Sequence, residues 1–140
     1  MKILIIDGQG GNLGRQLAKT INEKLENVQI IVVGTNSIAT ANMLKAGNVV
    51  GATGENAVIV NARKADVIIG PIGIVIADSL YGEVTKEMAY AVGSSNAKRI
   101  LIPMNRCDNI VVGVSNQNVG QLIEETVERL AGLLETERKC

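Results

Sequence analysis

The chain has 140 residues, of which 46% are hydrophobic, and it carries 14 basic and 14 acidic side chains. This balanced charge, with two tyrosines as the only aromatic residues, argues against a nucleic-acid partner, because such proteins carry basic surfaces and stacking aromatics. Histidine is absent, which excludes Ser-His-Asp and Cys-His catalysis and the common histidine-based metal sites, so no metal site is predicted.

Apolar runs alternate with helical stretches along the chain. The predicted strands are residues 2–6, 28–34, 66–70, 98–103 and 109–114. After the first strand, apolar residues recur every four positions from Leu13 to Leu25, which is typical of one apolar helix stripe. Strands alternating with helices predict right-handed βαβ units. We therefore expect a single α/β domain over residues 1–140, a three-layer, doubly wound, mostly parallel five-stranded sheet of Rossmann or flavodoxin type.

The second predicted helix begins at a capping residue, either Asn36 or Ser37, and runs to Gly47. Residues 47–65 leave two structures open. The "NVV" within them is either a short strand or a connection, and "ENAVIVNARK" is either helix or strand. We favour a helix opened by Thr53 or Gly54, because the next strand begins directly afterwards.

Residues 71–95 are interpreted as a loop and two helical pieces that separate near "YGE". Thr85 is the expected N-cap of the second piece and Gly93 its expected terminator. The chain then ends in an amphipathic helix that carries Leu122, Ile123, Val127, Leu130 and Leu134.

The stretch "IDGQGGNLG" carries the strongest functional signal. It places four glycines between the first strand and the first helix, where free N–H groups and the helix dipole favour phosphate. The spacing is neither G-x-G-x-x-G nor a P-loop. The alternative is a tight turn in which Gly14 only lets the helix approach the sheet. The candidate ligand-binding residues of this loop are Asp7, Gly8, Gln9, Gly10, Gly11, Asn12 and Gly14.

The end of the second strand offers Thr35 and Asn36 as further ligand-binding candidates. A dinucleotide-binding fold usually places an acidic residue there to hold a ribose, or an Arg to meet a 2′-phosphate. Thr and Asn are neutral but can bond hydroxyl groups, so we expect them to contact a sugar. This weakens the case for a dehydrogenase and leaves the cofactor open, with a nucleotide or dinucleotide as the expected class.

The stretch "PMNRCD" follows the fourth strand. In it, Asn105 is a candidate to orient a carbonyl, and Arg106 either clamps a phosphate or forms a surface ion pair. Cys107 is a candidate nucleophile if a nearby positive charge activates its thiol. Its alternative is a small buried hydrophobic residue.

Two further residues are weak catalytic candidates. Glu55, in "GATGENA", either faces a ligand or complements the dipole of the helix that it opens. Asp78 lies in the apolar stretch "GIVIADSLYG", where burial would make it an acid or base and exposure would suit a helix cap.

The expected cellular location and oligomeric state are inferred from signals that the sequence lacks. No apolar run approaches the roughly 18–20 residues of a membrane span, and the N-terminus is too short for a signal peptide. Cys107 and Cys140 form neither a metal spacing nor a disulfide framework. We therefore expect a cytoplasmic protein without a membrane partner, and a homodimer as the default for a small α/β unit.

The chain resembles a small bacterial family catalogued as a domain of unknown function. The resemblance covers essentially the whole chain and rests on "IDGQGGNLG", "GTNSIATANMLKAG", "GATGENAVIVN", "DVIIGPIGIVIADSLYGEVT" and "RILIPMNRCDNIVVGV". It implies a compact, single-domain, cytoplasmic α/β protein of unassigned biochemistry, with no catalytic residues to carry over.

Two functions therefore stay open. The first is binding of a nucleotide or another phosphorylated metabolite at the loop of residues 7–14, with or without catalysis. The second is a ligand-sensing or protein-interaction module that uses no nucleotide.

Overall fold

The structure is a computed structural model that describes residues 1–104 and 108–139. The elements in chain order are β1 (Lys2–Asp7), α1 (Asn12–Lys24), β2 (Gln29–Gly34), α2 (Ser37–Leu44), β3 (Val50–Thr53), α3 (Glu55–Lys64), β4 (Val67–Pro71), a 3-10 turn (Ile72–Val75), α4 (Lys86–Gly93), β5 (Lys98–Ile102) and α5 (Val119–Lys139). Strands and helices alternate, as the sequence pattern predicts.

The five strands form one parallel sheet in the order β3-β2-β1-β4-β5. Ile5 in β1 lies opposite Val32 in β2 and Ile69 in β4. The doubly wound α/β class is thus confirmed. The strand order is the Rossmann one, and it reverses direction between β1 and β4, which is where ligands bind in such sheets.

Alternate residues of the central strands supply two separate cores. Ile3 and Ile5 face α1 and α5, whereas Leu4 and Ile6 face α3 and α4. Because a strand with apolar residues on both faces must be covered on both, these runs produce three layers. The core side chains are aliphatic. Tyr81 takes no part in the core, because it is 97% exposed.

The predicted helix caps are confirmed. The Asn36 side chain accepts a hydrogen bond from Ala39 N at 2.8 Å and caps α2, and Thr85 accepts one from Met88 N at 3.1 Å and caps α4. The favoured helix over "ENAVIVNARK" is α3, with Gly54 at its N-cap. The first of the two helical pieces expected after β4 is a single 3-10 turn.

The strand predicted at residues 109–114 is wrong, and the fifth strand is β3 at residues 50–53. Val112 and Gly113 form a turn, with Gly113 at a φ of +88°, and this turn ends any extended run there. As a result β5 is an outer strand of the sheet, and Ile110 is 91% exposed.

Within the part of the chain that the structure describes, no helix has the length and apolar character needed to cross a membrane.

Candidate functional site

The loops that follow β1, β2 and β4 meet at one edge of the sheet, because parallel strands end on the same side. Thr35 N donates to Asp7 O at 3.0 Å, which ties the ends of β1 and β2 together. Thr35 and Asn36 therefore lie beside the glycine loop, as the sequence predicts. The loop after β4, residues 76–84, folds back over the same edge.

Three of the four loop glycines make room for neighbouring groups. A Cβ on Gly8 would lie 2.6 Å from Thr35 Oγ1, and one on Gly14 would collide with Met43 Sδ. Gly11, at a φ of +74°, would bring a Cβ to 2.5 Å from Ala39 O. Only at Gly10 among these four is the space open, with the nearest atom 3.8 Å away. Close packing thus accounts for Gly8, Gly11 and Gly14, and Gly10 is the position where backbone meets open space.

Asp7 is a buried carboxylate, 4% exposed, beneath this loop. Its two oxygens accept hydrogen bonds from Gly8 N and Gly14 N, each at 2.8 Å. Burial raises the pKa of Asp7, the two backbone N–H bonds oppose that rise, and the charge of Glu83 adds to it. Asp7 therefore holds the loop and the first turn of α1 together. Both of its carboxylate oxygens already accept hydrogen bonds from the backbone.

Glu83 lies at this edge and was not among the candidates from the sequence analysis. One carboxylate oxygen, Oε1, accepts from Gln9 N at 3.0 Å, from Thr35 Oγ1 at 2.8 Å and from Asn36 Nδ2 at 2.6 Å. Desolvation raises the pKa of Glu83, but these three hydrogen bonds outweigh it and the net shift is downward. Glu83 thus brings to the end of β2 the acidic group that the sequence of β2 itself lacks.

Residues 76–84 hold Glu83 in place through an unusual backbone. Asp78, Leu80 and Tyr81 have φ values of +66°, +55° and +57°, which side chains other than glycine rarely adopt. Leu80 is 1% exposed, and its Cδ1 lies 2.8 Å from the site of a Cβ on Gly8. Leu80 and Glu83 thus lie against the residues that follow β1 and β2.

The outer side of the glycine loop has free donors. The structure gives the N–H groups of Gly10, Asn12 and Leu13 no acceptor within residues 1–104 and 108–139. Gly11 is the N-cap of α1 and provides no side chain to cap it. Unbonded N–H groups at a helix start are the arrangement that binds an anion.

Arg15 supplies a positive charge on the same side. Its Nη1 donates to Asn42 Oδ1 at 3.1 Å, and Asn42 Nδ2 donates to Gly10 O and to Asn12 Oδ1, each at 2.8 Å. The sequence analysis missed both residues. Arg15 follows Gly14 directly, so its place one turn into the predicted helix was a usable signal. Asn42 comes from α2 and has no local signal.

Within residues 1–104, the catalytic candidates Glu55 and Asp78 make no hydrogen bond with the glycine loop. Glu55, in the first turn of α3, accepts from Thr85 Oγ1 at 2.7 Å. Asp78 is exposed, and its backbone N donates to Val84 O at 2.7 Å within the loop. The predicted roles of Asn105, Arg106 and Cys107 lie outside the described residues. Among the described residues, no group of three or more acidic or thiol side chains is placed to hold a metal.

Comparison with known proteins gives one family match. The model of the family described as "Domain of unknown function (DUF3842)" matches residues 2–135. No curated protein matches the chain.

Proposed function

The chain belongs to this family of unknown function, and from the geometry of the sheet edge we propose that it binds a nucleotide or another phosphorylated metabolite there. The phosphate lies against the N–H groups of Gly10, Asn12 and Leu13. These unbonded donors, at the point where the strand order reverses, are the observation that carries the proposal. The guanidinium of Arg15 lies on the same side and adds attraction for an anion.

The remaining contacts are assigned by position. Thr35 and Asn36 follow β2 beside the loop, where their hydroxyl and amide groups suit a sugar or another oxygen-rich part of the ligand. Asn105 and Arg106 follow β5, whose carboxyl end lies at the same edge, and we propose that they close the far side of the ligand.

A thermal-shift series tests the proposal with nucleoside monophosphates, dinucleotides, coenzyme A, sugar phosphates and inorganic phosphate. We expect at least one of these to raise the melting temperature. Gly10→Val should abolish the shift, because its branched side chain covers the free N–H groups, and it should still fold because the space around Gly10 is open.

The matched control is Gly93→Val, at the end of α4, where an added Cβ meets no atom within 4 Å. That variant should keep the full ligand response. A folded protein that responds to none of these ligands would contradict the proposal. So would a response that Gly10→Val leaves unchanged.

A second candidate function, a protein-interaction module that forms a homodimer, is favoured by the apolar segment of residues 109–114. Ile110 and Val112 are 91% and 94% exposed. Gly113 and Val114 of the same segment line a cavity together with residues 99–102 of β5, an outer strand of the sheet. Exposed apolar side chains grouped in one segment are typical of a contact surface for another chain.

We expect the protein to elute as a dimer, and Val112→Asp to shift it toward monomer because a charge would be buried in the contact. Light scattering after size exclusion measures this. Ile38→Asp is the control, because Ile38 is 71% exposed on α2, an element away from β5. A monomeric wild type, or equal effects of the two variants, would reject this interface.

A further inference from the structure

The hydrogen bonds of Glu83 describe a site for an anionic oxygen. Three donors converge on Glu83 Oε1: Gln9 N, Thr35 Oγ1 and Asn36 Nδ2, at 2.6–3.0 Å. We call these three groups the donor triad. A main-chain N–H, a hydroxyl and an amide aimed at one point form a small oxyanion pocket, and charge-assisted bonds of this kind are the stronger ones.

The donor triad is built from parts of the chain that do not include Glu83. Gln9 follows β1, and Thr35 and Asn36 follow β2, two paired strands at the centre of the sheet. Asn36 is fixed at both ends of its amide, because Nδ2 also donates to Gln9 O at 2.9 Å and Oδ1 accepts from Ala39 N. The position of the Asn36 amide is therefore held by groups other than Glu83.

Glu83, by contrast, reaches the triad from residues 76–84. Three non-glycine residues of that loop have positive φ values: Asp78, Leu80 and Tyr81. Such backbone conformations are unfavourable for residues other than glycine, and they are common in ligand clamps and switch segments. Leu80 and Val84 are each 1% exposed and anchor the base of this loop in the core, so the part that can leave the triad is the side chain of Glu83.

We propose that the donor triad is a binding site for an anionic oxygen of the ligand, and that Glu83 fills it until a carboxylate or phosphate oxygen takes its place. The Glu83 side chain then swings away from the edge, while Leu80 and Val84 stay buried beneath the loop. This inference rests on the proposed function for the position of the ligand, and it adds that the ligand displaces an internal carboxylate. The triad itself can be tested with a small carboxylate alone.

The test is chemical rescue of Glu83→Ala by sodium formate. Formate supplies the missing carboxylate, so it should raise the melting temperature of the variant above the value in sodium chloride at equal ionic strength. In the wild type Glu83 competes for the triad, which lowers the apparent affinity for formate, by about tenfold or more. The wild type should therefore show little response specific to formate.

Two variants complete the design. Glu87→Ala removes an acidic residue of α4 that makes no bond to the triad, and it should show no rescue. Adding Thr35→Val to Glu83→Ala removes one donor with little change of shape, and it should weaken the rescue. If Glu83→Ala is unfolded in chloride, the folded fraction should rise with formate, and circular dichroism measures this.

Equal responses of wild type and Glu83→Ala to formate would overturn the inference, as would a rescue that Thr35→Val leaves intact. The outcome is separable from that of the phosphate panel. Rescue without any response to phosphorylated ligands would reject the proposed function and keep the triad. The reverse result would reject the triad and keep the phosphate site at Gly10.

Discussion

Asp7→Ala is expected to lower the free energy of unfolding by about 2–5 kcal/mol. The substitution leaves the N–H groups of Gly8 and Gly14 without their acceptor, and an unsatisfied buried donor costs about 1–3 kcal/mol. Urea denaturation followed by circular dichroism measures the loss. Asp66→Ala is the control, because Asp66 is exposed and accepts a hydrogen bond from Lys2 N at 2.7 Å. This substitution should lower the free energy of unfolding by less than about 1 kcal/mol.

The pH dependence gives a second reading of Asp7. Burial raises its pKa in the folded state, so protonation favours the folded protein. Its contribution to stability is therefore complete below the unfolded pKa, about 3.9, and is lost as pH rises through the folded pKa. The stability of the wild type relative to Asp7→Asn should fall over that range. Parallel pH curves for the two proteins would contradict the assignment.

Gly11→Ala is expected to cost about 2–5 kcal/mol, whereas Gly10→Ala should cost less than about 1 kcal/mol. Gly11 has a φ of +74°, and its Cβ would lie 2.5 Å from the backbone oxygen of Ala39. The neighbouring Gly10 has open space and no positive φ. Denaturant midpoints of the two variants measure the contrast.

This pair separates packing from ligand binding in one loop. If Gly10→Ala and Gly11→Ala lower the free energy of unfolding equally, the close approach of Gly11 to Ala39 in α2 would be contradicted. The contrast also decides which glycine suits a binding test. Gly11 variants would confuse loss of binding with loss of stability, whereas Gly10 variants do not.

The alternation of strands and helices was predictable outside β3 and residues 109–114, because the central strands are apolar on both faces and the helices carry local caps. Asn36 and Thr85 each bond to an N–H only three residues away, so nearby sequence contains the signal. Residues 109–114 misled the prediction because β-branched residues also occur in exposed segments. Whether such a run becomes a strand depends on a partner, which the sequence does not display.

The site was predictable only in part. The positions after β1 and β2 follow from the rule for parallel sheets, and the structure brings Gln9, Thr35 and Asn36 together. The packing role of most of the loop glycines was not visible in the sequence. Ala39 and Met43, which Gly11 and Gly14 approach, lie 25 or more positions further along the chain. Glu83 reaches partners 47 to 74 residues away, through a loop that has no periodic pattern.

The most direct test of a phosphate site at Gly10 is a titration of the 15N-labelled protein with inorganic phosphate. We predict saturable shifts of the Gly10, Asn12 and Leu13 amide resonances, beyond those in sodium chloride at equal ionic strength, and their loss in Gly10→Val. Absence of saturable shifts at these amides would contradict the account. Shifts centred on another part of the molecule, or unchanged in Gly10→Val, would contradict it equally.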